Sequence, residues 1–184
     1  KQGHQPASDP SGRWWVVLNG EIYNHGELRA ELSHLGVTTR TQSDTEVFAA
    51  LTACLGVEQA LERCHGMFAL AVLDTKERRL YLIRDRMGVK PLHWAKLPDG
   101  GVGFGSELKA LLAHPEVSRD LDEVAIQSFL VFEYIPTPKT PYRHIHKVEP
   151  GTWVEVDAAG IRTHRWWHSP QTPGGRPGEL GELG

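Results

Sequence analysis

The apolar pattern near the start of the chain changes from a continuous run to a helical spacing. A strand-like run, Trp14-Trp15-Val16-Val17-Leu18, is followed by apolar positions three or four residues apart, as on one face of a helix: Leu28, Leu32 and Leu35. Between them, Asn19-Gly20-Glu21-Ile22-Tyr23-Asn24 is predicted to form a turn from strand to helix. Asn-Gly is also a strong β-hairpin signal, but the helical spacing after it favours strand, turn and helix.

Two capping boxes mark predicted helix starts in the first third of the chain. Asn24 stands three residues before Glu27, and Ser43 stands three residues before Glu46. The second helix is predicted to place four apolar residues on one face: Val47, Leu51, Cys54 and Leu55. A glycine ends this helix, and a short helix over 57–64 is predicted to follow.

A set of antiparallel strands is predicted from residue 67 onwards. Residues 67–74 form an almost continuous apolar run, which is typical of a strand buried on both faces. The polar residues 76–79 then form a turn to a second strand over 80–83. Strands over 92–95 and 101–104 are predicted to form a second hairpin.

Helices and strands are both predicted again in the rest of the chain. One helix covers 106–112 with Ser106 as its cap, and another covers 121–132 with Asp122 as its cap. Two strands are predicted after them: 152–156 and 161–165. Helices before and after a central set of antiparallel strands predict an α+β fold class, with no internal repeat.

Composition places the chain among ordinary globular proteins. It has 184 residues, of which 40% are hydrophobic and 23% charged, so one domain with a sizeable core is expected. The formal net charge is −3 and no block of lysine or arginine exceeds two residues, so no nucleic-acid partner is expected. Two cysteines, no membrane-spanning run and no signal-like segment predict a cytoplasmic protein that does not bind a membrane.

The candidate binding residues are Asn19, Gly20, Glu21 and Asp44. An amide side chain, an open glycine backbone and carboxylates could bind a small ligand that carries an ammonium group and a carboxyl or amide group. Asp44 is predicted in the first turn of its helix, where the helix dipole keeps a carboxylate ionised. An aspartate is also favoured at that position when no ligand is bound, so both interpretations stay open.

Other reactive-looking residues are predicted to be structural. Cys54 and Cys64 are expected to be buried and unreactive. His144 and His146 could lie on one side of a strand, but no metal site is predicted because no other ligand pattern surrounds them. The charged run over 84–91 is expected to shape the fold and to take no part in chemistry.

Several motifs, in this order, resemble one known family. The chain resembles the glutamine amidotransferase domain of glutamine-hydrolysing asparagine synthetases, a class II amidotransferase of the N-terminal nucleophile superfamily. The resemblance runs from about Gly3 to Trp167. It rests on these motifs: Gly3-His4-Gln5-Pro6, Asn19-Gly20-Glu21-Ile22-Tyr23-Asn24, Ser43-Asp44-Thr45-Glu46, Gly66-Met67-Phe68-Ala69, Arg84-Asp85-Arg86-Met87-Gly88-Val89-Lys90-Pro91-Leu92 and Ser106-Glu107-Leu108-Lys109-Ala110-Leu111.

The resemblance implies a fold and a role for each candidate residue. It implies a four-layer αββα sandwich of two antiparallel sheets, of the N-terminal nucleophile hydrolase type. It implies an oxyanion hole made by the Asn19 side-chain amide and the Gly20 backbone amide, with Glu21 and Asp44 holding L-glutamine. The parent protein would release ammonia from glutamine for the ATP-dependent amidation of aspartate. It would bind ATP and Mg in a separate synthetase domain, and we expect it to be a homo-oligomer.

One departure from the family changes what is expected of this chain. The family's nucleophile is a cysteine at the mature N-terminus, whereas this chain has Lys1 there. Residues 1–167 are therefore interpreted as an amidotransferase domain truncated at its N-terminus and inactive by itself. Residues 168–184 are interpreted as a linker towards an absent synthetase domain. Because the truncated domain would have open strand edges, we expect the fragment to associate or aggregate unless something covers those edges.

Three alternatives stay open at this point. The amidotransferase domains of glucosamine-phosphate synthase and of amidophosphoribosyltransferase also carry an Asn-Gly pair and an aspartate motif. A non-catalytic glutamine-binding scaffold would carry the same pocket without a nucleophile.

Overall fold

The computed structural model describes residues 3–169. Its helices are α1 (His25–His34), α2 (Asp44–Leu55), α3 (Val57–Arg63), α4 (Leu108–Leu112) and α5 (Glu123–Phe132). Its strands are β1 (Ala7–Ser8), β2 (Trp14–Ile22), β3 (Gly66–Asp74), β4 (Arg79–Arg84), β5 (His93–Lys96), β6 (Val102–Gly105), β7 (Ile145–Lys147), β8 (Thr152–Asp157) and β9 (Gly160–Arg165). Residues 170–184, which make up most of the predicted linker, lie outside the described residues.

The strands form two antiparallel sheets. The larger sheet has the order β1-β2-β3-β4-β8-β9, and the smaller has the order β6-β5-β7. The longest pairing joins β2 to β3 over nine residue pairs, from Trp14 opposite Asp74 to Ile22 opposite Gly66. The β3–β4 hairpin and the β5–β6 hairpin were both predicted and are confirmed.

Neighbouring residues on a strand pack into different cores, because successive side chains point to opposite faces of a sheet. On β4, Ile83 packs with the residues of α1 and α2, whereas Leu82 packs in the space between the two sheets. On β5, Trp94 also contacts the core between the sheets, whereas Ala95 packs with Leu111 of α4 on the outer side. The layers are therefore helix, sheet, sheet and helix, which confirms the α+β, four-layer αββα prediction.

The predicted turn over residues 19–21 is wrong. Asn19, Gly20 and Glu21 continue β2 and lie opposite Ala69, Phe68 and Met67 of β3. Pairing with β3 overrides the local Asn-Gly signal, so the chain leaves the strand only at Tyr23 and Asn24, directly before α1. The order strand, turn, helix is confirmed, and the hairpin alternative is excluded.

Asn24 and Ser43 occupy the N-cap positions of α1 and α2 as predicted, but their predicted capping boxes do not form, and the cap predicted at Ser106 is wrong. The side chains of Asn24 and Ser43 make no capping hydrogen bond, and α4 begins only at Leu108, with Glu107 as the flanking residue. Only the Asp122 side chain caps its helix as predicted, because it accepts a hydrogen bond from the Ala125 N–H at 3.0 Å. The Asn24 amide instead joins α1 to the α3–β3 connection. It donates to the Arg63 carbonyl and accepts from the His65 N–H.

The cysteine and charged-run predictions have different outcomes. Cys64 is buried as expected, but Cys54 is exposed on the last turn of α2, so its predicted place on the apolar face is wrong. The charged run is structural, as predicted. The buried Asp85 carboxylate accepts hydrogen bonds from the N–H groups of Met87, Val89 and Lys90.

In the part of the chain that the structure describes, no helix combines the length and apolarity that a bilayer span needs.

Candidate functional site

A cavity of about 430 Å³ lies where the end of β2 meets the start of α2. This volume lies within the range of about 300–1,000 Å³ that is typical of small-molecule sites. Three of the four predicted binding residues line it: Gly20, Glu21 and Asp44. Four further residues complete the lining: Gly3, His25, Gln42 and Ser43.

The edge of β2 presents a row of backbone N–H groups on the side away from β3. β1 pairs with β2 only at Val16 and Trp15, so the rest of this edge has no neighbouring strand among residues 3–169. The Leu18 N–H donates to the Gln5 side-chain oxygen at 2.7 Å. The Ile22 N–H donates to the Asp44 carboxylate at 3.1 Å.

The Gly20 N–H lies between these two groups on the same edge. Backbone N–H groups alternate between the two edges of a strand, so residues 18, 20 and 22 point the same way. Tyr23 shows the alternation, because its N–H donates to the His65 carbonyl on the β3 side. Gly20 itself lines the cavity, so its backbone borders the open space that a ligand would occupy.

Only glycine fits at position 20. Its φ is +132°, a conformation that residues with a side chain rarely adopt. A Cβ atom built there would overlap the Met67 carbonyl oxygen and lie 2.9 Å from the Phe68 Cα. The close approach of β2 to β3 at this point therefore requires glycine.

Asp44 is held at the first residue of α2. Its Oδ1 accepts from the Thr45 N–H at 2.8 Å, and its Oδ2 accepts from the Ile22 N–H. A carboxylate has about four acceptor positions, so both oxygens keep capacity for a ligand cation. With Glu21 on the same cavity wall, the site has two carboxylates to attract an ammonium group.

Glu46 fixes the loop that precedes α2. Its buried carboxylate accepts hydrogen bonds from the N–H groups of Arg40 and Thr41 at 2.9 and 2.7 Å, which positions the loop that continues to Gln42 and Ser43. Burial alone would raise the pKa of Glu46, but the hydrogen bonds from Thr41 and Arg40 outweigh it and lower the pKa below 4.5.

Asn19 lies beside the cavity but does not line it. Its side chain is on the face of β2 that points towards the smaller sheet, and its Nδ2 donates to the Ser106 Oγ at 2.8 Å. The structure thus brings Gly20, Glu21 and Asp44 together around one cavity. Asn19 is the neighbour of Gly20 on the strand, and its side-chain amide is bonded to Ser106 beside the cavity.

Sequence reasoning missed several residues at this site. Gln5 bonds to both backbone groups of Leu18, and Ser106 bonds to Asn19. Both occur in motifs that carried the family resemblance, and this was the one available signal. Ser43 also occurs in one of those motifs, whereas His25 and Gln42 had no signal beyond their positions next to the predicted helix starts.

Neither cysteine contributes to the cavity. Burial raises the pKa of the Cys64 thiol to about 12, so this thiol is not ionised near neutrality. Within residues 3–169, no group of three or more His, Cys, Asp or Glu side chains is arranged to hold a metal ion. The His146 ring packs on Trp94 with 4.9 Å between ring centroids, which gives this histidine a packing role.

Comparison with known proteins identifies the family of the chain. A family model described as a glutamine amidotransferase domain matches residues 1–167. The chain therefore belongs to the glutamine amidotransferase domain family, as its motifs predicted.

Among curated relatives, a glutamine-hydrolysing asparagine synthetase of Bacillus subtilis is 40% identical over 165 residues, which are 90% of this chain and 26% of that protein. A putative glutamine-hydrolysing asparagine synthetase of Mycobacterium bovis is 37% identical and is matched over 84% of this chain and 25% of its own length. The chain thus spans about a quarter of the length of these relatives.

A solved structure shares the fold. The glutamine phosphoribosylpyrophosphate amidotransferase of B. subtilis superposes with a TM-score of 0.62 over 90% of this chain and 32% of its own, at 22% identity. At that identity the likeness establishes the shared fold only.

Proposed function

We propose that the cavity between β2 and α2 binds L-glutamine. The observation that carries this proposal is the position of Gly20, which lines the cavity between two residues whose N–H groups are already bonded, Leu18 to Gln5 and Ile22 to Asp44. We infer that the Gly20 N–H is available to a ligand in the cavity. A backbone donor beside two carboxylates suits a ligand with an amide carbonyl at one end and an ammonium group at the other.

The proposed roles follow from the chemistry of amide hydrolysis. Attack on the side-chain amide of glutamine produces a tetrahedral adduct with a negatively charged oxygen. The Gly20 N–H and the Asn19 Nδ2 would donate to that oxygen, and each such donor lowers the barrier by about 3–4 kcal/mol. Glu21 and Asp44 would bind the α-ammonium group and so position the carbonyl near these donors.

We also propose that the 184-residue chain does not turn over glutamine on its own. The attacking group in this chemistry is a thiolate with a lowered pKa and access to the substrate. Cys64 is buried with a raised pKa, and Cys54 lies on the last turn of α2, whereas the cavity is at its first turn. Incubation with L-glutamine should therefore release no ammonia above a protein-free blank. Measurable turnover would contradict this part of the proposal.

The domain is proposed to work in a longer asparagine synthetase. The support is the 40% identity to the B. subtilis enzyme, together with the match to about a quarter of that protein. In this proposal a synthetase domain of the same polypeptide binds ATP and Mg, and it uses the ammonia to amidate aspartate. The amidophosphoribosyltransferase alternative has only the shared fold in its favour.

Self-association through α5 is a fourth proposal. Phe129, Phe132 and Tyr134 are 51%, 59% and 61% exposed, so at about 200 Å² a ring they present roughly 300 Å² of apolar surface. Leu130 and Val131 on the same helix are also exposed. The largest apolar patch on a typical monomer has about this size and is often an interaction site, and we propose that here it serves a homo-oligomer.

The full-length protein that carries this domain provides the test. Asn19→Ala should lower glutamine-dependent turnover by about 10²–10³-fold, because it removes one oxyanion donor. Synthesis supplied with free ammonia should be largely unchanged, because it bypasses the cavity. An equal loss of both activities would contradict the proposed function.

A further inference from the structure

Asn19 and Ser106 connect the two sheets of the sandwich beside the cavity. Asn19 lies on β2 of the larger sheet, and Ser106 lies between β6 of the smaller sheet and α4. The Asn19 Nδ2 donates to the Ser106 Oγ at 2.8 Å, across 87 residues of sequence. Ser106 therefore does not cap α4 as the sequence predicted, and its hydroxyl bonds to Asn19 instead.

The hydrogen bond to Ser106 uses one of the two amide hydrogens of Asn19, and the other can still be donated to a ligand. A side-chain amide nitrogen carries two hydrogens, and Ser106 accepts one of them. The terminal torsion of asparagine is broad and weakly preferred, so an exposed amide without an acceptor samples many orientations. With one hydrogen fixed on Ser106, the plane of the amide and the direction of the second hydrogen are also fixed.

Ser106 is itself anchored from the smaller sheet. The His93 Nδ1 lies 3.1 Å from the Ser106 carbonyl oxygen, at the first residue of β5. Burial lowers the pKa of His93, and the charges of Lys147 and Arg84 act in the same direction. The ring is therefore neutral near pH 7, and it donates to the carbonyl when its proton is on Nδ1.

We propose that Ser106 is a positioning residue for the Asn19 amide. Its hydroxyl oxygen holds one amide hydrogen so that the other is oriented in advance towards the oxyanion that forms beside Gly20. This inference rests on the proposed function, because it assigns Asn19 to the oxyanion hole. An oriented donor stabilises the transition state without reorganising at the moment of reaction, so the effect falls on turnover more than on substrate binding.

The bond can be observed directly, because this chain has only two asparagines. Labelling with 15N-asparagine gives two side-chain NH2 signals, one from Asn19 and one from Asn24. Ser106→Ala should move the Asn19 pair towards the position of a free asparagine amide, whereas Ser106→Thr, which keeps the hydroxyl, should leave it in place. The Asn24 pair, held by Arg63 and His65, is the internal control for folding. An unmoved Asn19 pair in Ser106→Ala would overturn the proposal.

A second measurement uses the unchanged chain and does not depend on any variant folding. In the wild type, one hydrogen of the Asn19 amide should show the small temperature coefficient of a bonded proton and the other the larger coefficient of a free one. Equal, large coefficients for both hydrogens would overturn the proposal.

Turnover separates a positioning role from a merely structural one. In the full-length protein, Ser106→Ala should lower kcat for glutamine hydrolysis by about tenfold with KM unchanged, a part of the about 10²–10³-fold loss expected for Asn19→Ala. Ser106→Thr should restore kcat. The double variant should be no slower than Asn19→Ala alone, because Ser106 acts through Asn19. The matched control is Ser33→Ala, an exposed serine bonded within α1.

The outcomes distinguish this inference from the function on which it rests. A large loss in Asn19→Ala with normal turnover in Ser106→Ala would overturn the positioning role alone. Normal turnover in Asn19→Ala would overturn the proposed oxyanion hole, and the positioning role with it. Additive losses in the double variant would show that Ser106 acts independently of Asn19, which also overturns the proposal.

Discussion

The Asp44 carboxylate accepts a hydrogen bond from the Ile22 N–H at 3.1 Å, which joins the first residue of α2 to the last residue of β2. Residues far apart in sequence thereby form one wall of the cavity. Because the carboxylate is fixed by this bond and by the Thr45 N–H, it is oriented before any ligand arrives. A preorganised group loses little conformational entropy on binding, so its contribution to affinity is large.

Replacing Asp44 with asparagine should weaken glutamine binding. Asp44→Asn keeps the size of the side chain but removes the charge that attracts the α-ammonium group. A hydrogen bond to a charged group contributes about 1.5–3 kcal/mol, so Kd should rise by roughly 10- to 100-fold. Isothermal titration calorimetry of the chain with L-glutamine measures this change. Asp99→Asn in the β5–β6 turn is the matched control, and equal effects of the two variants would refute the role of Asp44.

Gly20→Ala should destabilise the fold as well as the cavity. The added Cβ overlaps the Met67 carbonyl, and the backbone is held at φ +132°, which costs about 1–3 kcal/mol before any clash is counted. Gly26→Ala in α1 is the matched control. Its Cβ would meet nothing within 4 Å, and alanine should stabilise a helix by about 0.5–1 kcal/mol. Denaturant unfolding should move the two midpoints in opposite directions, and a stable Gly20→Ala chain would contradict the close β2–β3 packing.

Secondary structure was predictable where a single local pattern dominated. The apolar run that became β3 and the cap at Asp122 depend on neighbours within a few residues, and both are confirmed. The turn predicted at Asn19 and Gly20 failed because β3, more than forty residues later, pairs along the full length of β2. Local propensity cannot reveal a pairing partner at that distance.

Local sequence patterns also failed to predict distant hydrogen-bond partners at and near the site. Asn24 matched the capping pattern, yet its amide bonds to Arg63 and His65. The family resemblance predicted that Gly20, Glu21 and Asp44 belong to one site, and the structure places all three on one cavity. The contact between Asn19 and Ser106 joins two sheets, so no periodicity or spacing indicated it.

Acid should weaken the loop before α2 through Glu46. The folded-state pKa of Glu46 is lowered below its ordinary value of 4.5, so the folded state favours the carboxylate over the protonated acid. The resulting stability is present above pH 4.5 and is lost as the pH falls through the lowered folded-state pKa. The difference in unfolding free energy between wild type and Glu46→Gln should thus be large at pH 7 and should shrink at pH 3.

Chemical denaturation at several pH values measures that difference. Glu58→Gln, on an exposed position of α3, is the control and should change stability by less than about 0.5 kcal/mol. A Glu46→Gln penalty that stays the same from pH 7 to pH 3 would show that the carboxylate charge does not hold the loop.

A charge on α5 should reduce self-association. Leu130 is 76% exposed on α5, and Leu130→Glu places a carboxylate among the exposed apolar residues of this helix. Sedimentation velocity should show a lower average mass for this variant than for the wild type at the same concentration. Leu35→Glu, at the end of α1, is the matched control because Leu35 is also exposed but lies outside α5. If both variants behave like the wild type, α5 is not the contact surface.

The Gly20 amide signal tests the central claim most directly. In 15N–1H spectra of the chain, L-glutamine should shift the Gly20 N–H progressively and to saturation, because that group donates to the ligand in the cavity. The Asp44→Asn chain should need a much higher glutamine concentration for the same shift. A Gly20 signal that stays in place while glutamine is added to saturating levels would contradict the account.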